Sequence, residues 1–117
     1  MTDKKTIGLT PAGEMSMQQV MDKGCFNNMI DAAKFAMSVA IRAGMPISSI
    51  EGASTIWNVG SFDSDGQVRQ VLSVLMSDCD SPYRTAESLI DQGLQLLHAD
   101  IQSGHFDPLT IVNATQS

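Results

Sequence analysis

One segment of the sequence has the ligand spacing of a calcium-binding loop. Ser61, Asp63 and Asp65 stand at its first, third and fifth places, and Gly66 stands at the sixth. The twelfth place is Leu72, where calcium needs a bidentate glutamate, and no predicted helix precedes the loop. We therefore interpret Asp63 and Asp65 as turn formers and a helix N-cap rather than as metal ligands.

The two histidines stand near acidic residues at the end of a predicted helix. His98 and Asp100 precede a glycine stop, and His105 and Asp107 follow it. Such residues commonly occupy C-terminal turns for reasons of solvation and helix dipole, which we favour over a metal site. We find no nucleophilic triad, acid/base pair or glycine-rich phosphate loop. The sequence therefore predicts no enzyme, no catalytic residue, no metal and no cofactor.

Cysteine use and the N-terminal residues bear on the compartment. Cys25 and Cys79 belong to no C-x-x-C pair, and we expect two small buried side chains in a reducing environment. The charged N-terminus lacks the apolar run of a secretory signal, and no apolar run approaches the length of a membrane span. We expect a cytoplasmic protein.

Length and charge narrow the class of protein further. The chain has 117 residues with 43% hydrophobic and 17% charged types, which suits a single globular domain over residues 1–117. Its net charge of -6 argues against a basic coat over the whole surface. Residues 1–60 have five basic and five acidic side chains, whereas residues 61–117 have two basic and eight acidic ones. The excess negative charge therefore lies in the second half.

A strand and two helices are predicted in the first half. Polar and apolar residues alternate over residues 4–9, which predicts a short strand. Thr10 and Pro11 then begin a helix over about residues 11–22. Asn27 or Asn28 can cap a second helix that ends at Gly44. Because the apolar face of this second helix is built largely of alanine, we expect it to pack closely against a partner helix.

The same order of elements follows in the second half. Residues 55–60 have the composition of a strand, and a helix with an apolar stripe comes next. The stripe consists of Val68, Val71, Leu72 and Leu75. Ser81 and Pro82 begin a last long helix that ends at Gly104, and residues 109–112 suggest a final strand.

The sequence thus predicts a mainly α fold with short strands, in which a strand-helix-helix unit occurs twice. The units span residues 4–44 and 55–104, and only the second is acidic. A shift of 57 residues aligns Ala36 with Gly93. Duplication and the chance alignment of two amphipathic helices both explain this match. The sequence also leaves open whether the units pair within one chain or between chains.

Residues 4–44 resemble the ribbon-helix-helix family of dimeric DNA-binding proteins in the order and length of ribbon, first helix, turn and second helix. In that family two chains pair their ribbons into an antiparallel sheet that enters the major groove. The second helices cross in the dimer core. The resemblance therefore implies a ribbon-helix-helix-like fold and a homodimer.

The resemblance also implies site residues. A ribbon buried through Ile7 and Leu9 would point Lys4, Thr6 and Gly8 at the groove. The expected DNA-binding residues are Lys4, Lys5, Thr6, Lys23, Asn27 and Asn28, with the last three near a phosphate at the start of the second helix. The expected dimer interface comprises Ile7, Leu9, Ala33, Ala36, Met37 and Ala40.

Two functions are compatible with these observations. The first is a small dimeric DNA-binding regulator that uses its N-terminal ribbon. The alternative is an acidic, dimeric protein-protein interaction adaptor or complex subunit without DNA binding, whose partner would be basic.

Overall fold

The computed structural model describes residues 5–44, 50, 52–75 and 81–104. These residues form a mainly helical structure with short strands, as predicted, and the two strands pair in one antiparallel sheet. Its elements in chain order are β1 (Thr6–Leu9), α1 (Pro11–Asp22), α2 (Met29–Arg42), β2 (Ser54–Asn58), α3 (Val59–Phe62), α4 (Gln67–Leu75) and α5 (Pro82–Ser103). The strand expected over residues 109–112 lies outside the described residues. No described helix is both long and apolar enough to cross a membrane.

The predicted bounds of α1 are confirmed. The Thr10 hydroxyl accepts a hydrogen bond from the amide of Gly13 at 3.0 Å, and Pro11 occupies the first helical position. At the other end Gly24 has a φ of 74°, a left-handed conformation that glycine adopts without steric cost. Local signals at each end therefore determine this helix.

The start of α2 is set by Asn28 rather than Asn27. The Asn28 side-chain oxygen accepts a hydrogen bond from the amide of Asp31 at 2.9 Å. This bond satisfies one of the amides that have no partner within the first turn of the helix.

The sheet forms within a single chain. β1 pairs with β2 in an antiparallel register that sets Ile7 opposite Trp57 and Leu9 opposite Ser54, with an irregularity between Ile7 and Gly8. The strand predicted at the N-terminus thus pairs with the strand predicted in the second half of the same chain.

The second strand ends earlier than predicted. The prediction extended it to Gly60, but Val59–Phe62 form α3, a single helical turn. The side-chain oxygen of Asn58 accepts the amide of Ser61 at 2.8 Å, so an N-cap interrupts a segment whose composition favours a strand.

The core lies mainly between α2 and α5. The alanine-rich face of α2 packs against α5, which confirms the close approach predicted for this helix. A Cβ atom on Gly93 would collide with the Ala36 backbone. The backbones of the two helices are therefore in direct contact at this point.

The start of α5 differs from its predicted cap. Ser81 occupies the N-cap position, but its side chain makes no capping hydrogen bond in the described structure. Its carbonyl accepts the amide of Thr85 at 3.0 Å, and Pro82 at the first position has no amide to satisfy.

Candidate functional site

The expected base-reading surface is only partly open in the structure. Lys5 is exposed, Thr6 is half-buried, and Lys4 lies outside the described residues. The Thr55 hydroxyl donates a hydrogen bond to that of Thr6 at 3.5 Å across the ribbon. The expectation that Gly8 faces a groove is wrong, because the carbonyl of Ser54 fills the space beyond it: a Cβ there would lie 2.7 Å from that oxygen.

The expected phosphate-binding residues lie in the turn between α1 and α2. Lys23 and Asn27 are exposed. The Asn28 side chain is exposed too, but its oxygen caps α2. Cys25 lies in the same turn and is exposed, which corrects the prediction of a buried cysteine. The reason is that Gly24 ends α1 just before it, so Cys25 falls outside both helical faces. Cys79 lies outside the described residues.

The residues assigned to a dimer interface are buried within one chain. None is more than 6% exposed, so a second copy would find almost no surface on them. The physical reason is that β1 pairs with β2 and that α2 packs against α5 of the same chain. These six residues are Ile7, Leu9, Ala33, Ala36, Met37 and Ala40.

Asp63 is buried and lies before the start of α4, and its side chain caps the first turn of that helix, a capping role that the sequence predicted. Its carboxylate accepts the amides of Val68 at 2.9 Å and Arg69 at 3.1 Å, and the Tyr83 hydroxyl at 2.9 Å. Burial by itself raises the pKa of Asp63. The three hydrogen bonds and the positive charge of Lys34 outweigh burial and hold that pKa below its ordinary value of 3.8.

The side chain of Asp65 also forms a hydrogen bond with the backbone. Its side-chain oxygen accepts the amide of Gln67 at 3.2 Å. Within the described residues no group of three or more histidine, cysteine or acidic side chains is arranged to hold a metal ion. His105 and Asp107 lie outside them.

Two buried carboxylates on α5 connect this helix to β1 and α1. Glu87 accepts the amide of Gly8 at 2.8 Å, on the edge of β1 away from β2. Asp91 lies one helical turn further and accepts the Thr10 hydroxyl at 2.7 Å. Sequence reasoning missed this role. The available signal was the i, i+4 spacing of two acidic residues beside the apolar face of a helix, a pattern equally typical of a solvated face.

An open groove of about 430 Å³ runs between α1 and α5. The imidazole Nδ1 of His98 lies 2.6 Å from the side-chain oxygen of Gln19 and joins the two helices. Met15 is 65% exposed beside the groove. The lining residues are Ala12, Met15, Ser16, Gln95 and His98, which combine apolar and polar groups and include no Asp, Glu, Lys or Arg.

Three of the five large hydrophobic side chains that are exposed among the described residues lie on α4. Val71, Val74 and Leu75 are 46%, 77% and 57% exposed. With Gln70 they line a groove of about 350 Å³. We call these four residues the α4 face. Contiguous exposed apolar side chains of this kind mark interaction surfaces more often than isolated ones do.

The α4 face is continuous with the core. Val68 and Leu72, on the neighbouring side of α4, are buried. The sequence predicts one apolar stripe, which consists of Val68, Val71, Leu72 and Leu75. In the fold only Val68 and Leu72 of this stripe are covered. Val74 was not identified at all, because it lies outside the i, i+3, i+4, i+7 series. The apolar part of α4 is therefore wider than the surface that the rest of the described chain covers.

Comparisons of this chain with protein-family models, curated proteins and solved structures found no match.

Proposed function

We propose that this chain is a protein-protein interaction module and that the α4 face is its binding surface. The observation that carries this proposal is the exposure of Val71, Val74 and Leu75 beside a groove. Burying such side chains against a partner is favourable by roughly 25 cal/mol per Å² of apolar area.

The proposed architecture is a ribbon-helix-helix-like arrangement completed within one chain. It is supported by the β1–β2 pairing and by the contact of Ala36 with Gly93, two positions that the 57-residue shift makes equivalent. A chain that supplies both ribbons and both second helices has no need of a homodimer through these elements. We therefore propose a monomeric adaptor or complex subunit. We place it in the cytoplasm, because a reducing compartment preserves an exposed thiol such as Cys25.

Site-specific photo-crosslinking tests the interaction surface. A photoreactive amino acid at position 74 should give discrete protein adducts in cells that express the chain. The same group at position 15 is the matched control, because Met15 is also exposed and apolar but lies on α1. Equal adduct patterns from both positions, or none from position 74, would contradict the proposal.

DNA binding through the ribbon is the second candidate function. The observation in its favour is the exposed, charged Lys5 beside the paired hydroxyls of Thr6 and Thr55 on the ribbon. Lysine can contact phosphate, and threonine can bond to base edges. The buried Gly8 and the acidic second half make this function the weaker candidate.

A binding isotherm with duplex DNA distinguishes the two functions. If the ribbon binds DNA, the affinity should fall steeply with salt and should decrease in a Lys5→Ala variant. Lys34→Ala is a matched control, because Lys34 lies on α2 against Phe62 rather than on the ribbon. The interaction module predicts no measurable binding at low salt.

A further inference from the structure

We propose that the α4 face binds an amphipathic helix whose apolar stripe is bordered by basic side chains. This inference rests on the proposed function, since it names the partner of the same surface. The spacing of the exposed side chains, the size of the surface and the charge of the surrounding sequence each support it.

The spacing of the exposed side chains fits a helical partner. Val71, Val74 and Leu75 stand at i, i+3 and i+4, so they lie together on one side of α4. Two helices pack when rows of side chains at this spacing enter the grooves of the other helix. A partner with leucines at i, i+3, i+4 and i+7 presents the complementary row.

The size of the surface favours a single helix over a second globular copy. α4 has nine residues and is therefore about 13 Å long. Three apolar side chains and Gln70 offer much less area than the roughly 800 Å² per partner of a stable protein complex. A helix of three or four turns would cover the whole face.

The surrounding charge favours a basic partner. The chain has a net charge of -6, and residues 61–117, which include α4, have eight acidic and two basic side chains. Asp65 is exposed at the start of α4, whereas Arg69 precedes Val71 by two residues and projects roughly 160° away from it around the helix. Lysine or arginine beside the apolar stripe of the partner would therefore be attracted by the net negative charge of the chain.

Titration of the full-length chain with designed peptides tests the inference. The probe is a helical peptide of about 18 residues with a leucine stripe and lysines along its borders. A second peptide has glutamates in place of the lysines, and a third has the first composition in a scrambled order. Methyl NMR signals of Val71, Val74 and Leu75 report where each peptide binds, and fluorescence anisotropy reports the affinity.

The lysine peptide should shift the methyl signals of the α4 face, and its affinity should fall as salt increases. A Val74→Ser variant should bind it about tenfold more weakly, while the control Met15→Ser should bind it like the wild type. Asp65→Asn, which keeps an oxygen that can accept the Gln67 amide, should reduce the salt dependence.

Other outcomes would separate the two proposals. Equal binding of the lysine and glutamate peptides at α4 would overturn the basic partner and leave the interaction surface standing. If no peptide shifts α4 and position 74 gives no crosslink, both proposals fail. Concentration-dependent shifts of the α4 signals without peptide would show that a second copy occupies the face, which would overturn the basic helix.

Discussion

The carbonyl oxygen of Ala36 occupies the space where a side chain on Gly93 would lie. Gly93→Ala therefore cannot be accommodated unless α2 and α5 move apart. Alanine favours a helix over glycine by about 1 kcal/mol, but overpacking against backbone costs more. We expect a net loss of roughly 2 kcal/mol in the free energy of unfolding, measured by urea denaturation.

Gly24→Ala is the matched glycine control. Gly24 has a φ of 74°, and beyond its own chain neighbours no atom lies within 4 Å of the place that a Cβ would take, so only backbone strain opposes the substitution. We expect a loss of about 1 kcal/mol. A Gly93→Ala variant as stable as the wild type would show that the two backbones are not in contact.

Thr10 links the start of α1 to α5. Its hydroxyl accepts the amide of Gly13 and donates to Asp91, so Thr10→Val removes both bonds while nearly preserving shape. We expect a loss of about 1 to 3 kcal/mol in the free energy of unfolding. Thr10→Ser keeps the hydroxyl and should therefore retain most of the free energy of unfolding that Thr10→Val loses. Equal stability of the two variants would mean that the hydroxyl bonds are unimportant.

The depressed pKa of Asp63 predicts a loss of stability in acid. Because its pKa in the folded state lies below the ordinary value of 3.8, the carboxylate stabilises the fold above that pH. This contribution should disappear as the pH falls through 3.8 towards the folded-state pKa. Asp63→Asn places an amide group near backbone donors and should cost about 1 to 3 kcal/mol at neutral pH.

Denaturation curves between pH 7 and pH 2.5 test this expectation. The stability difference between wild type and Asp63→Asn should be constant near neutral pH and should shrink below about pH 4. Asp65→Asn is the control, because Asp65 is exposed and bonds to a single amide. A difference that does not change with pH would contradict the role of the Asp63 carboxylate.

Much of the fold follows from local sequence signals. Thr10, Pro11 and Gly24 determine the ends of α1 through chemistry within a few residues, and the alanine face of α2 predicts its close packing. The predicted strand beyond Asn58 was wrong, because the capping ability of one side chain outweighed the β propensity of the segment.

The candidate site was much less predictable. Apolar periodicity shows that Ala36 and Val71 belong to apolar faces, but it does not show which surface covers each face. Ala36 is buried within its own chain, although the resemblance assigned it to a second copy, and Val71 remains exposed. Glu87 and Asp91 make contacts about 80 residues away in sequence, so no local pattern reveals their partners.

Pairing of the ribbon within the chain predicts a monomer. Sedimentation equilibrium at micromolar concentration should give the mass of one chain, 12.6 kDa. In a mixture of labelled and unlabelled protein, isotope-filtered NOEs between Ile7 and Trp57 should be absent, because these residues pair within one molecule. Interchain NOEs between them would instead show a ribbon shared by two copies.

The exposed residues of α4 are proposed to serve binding rather than stability, and a triple variant separates these roles. Val71→Ser, Val74→Ser and Leu75→Ser together remove the apolar groups of the α4 face and leave the buried Val68 and Leu72 in place. The variant should be measured for both its free energy of unfolding and its binding of the lysine peptide.

We predict a free energy of unfolding within about 1 kcal/mol of the wild type, because substitutions at exposed positions have small effects, together with loss of peptide binding. Met15→Ser should retain both properties. A loss of more than about 2 kcal/mol with unchanged peptide binding would contradict the proposed function, because the face would then stabilise the fold without contacting a partner.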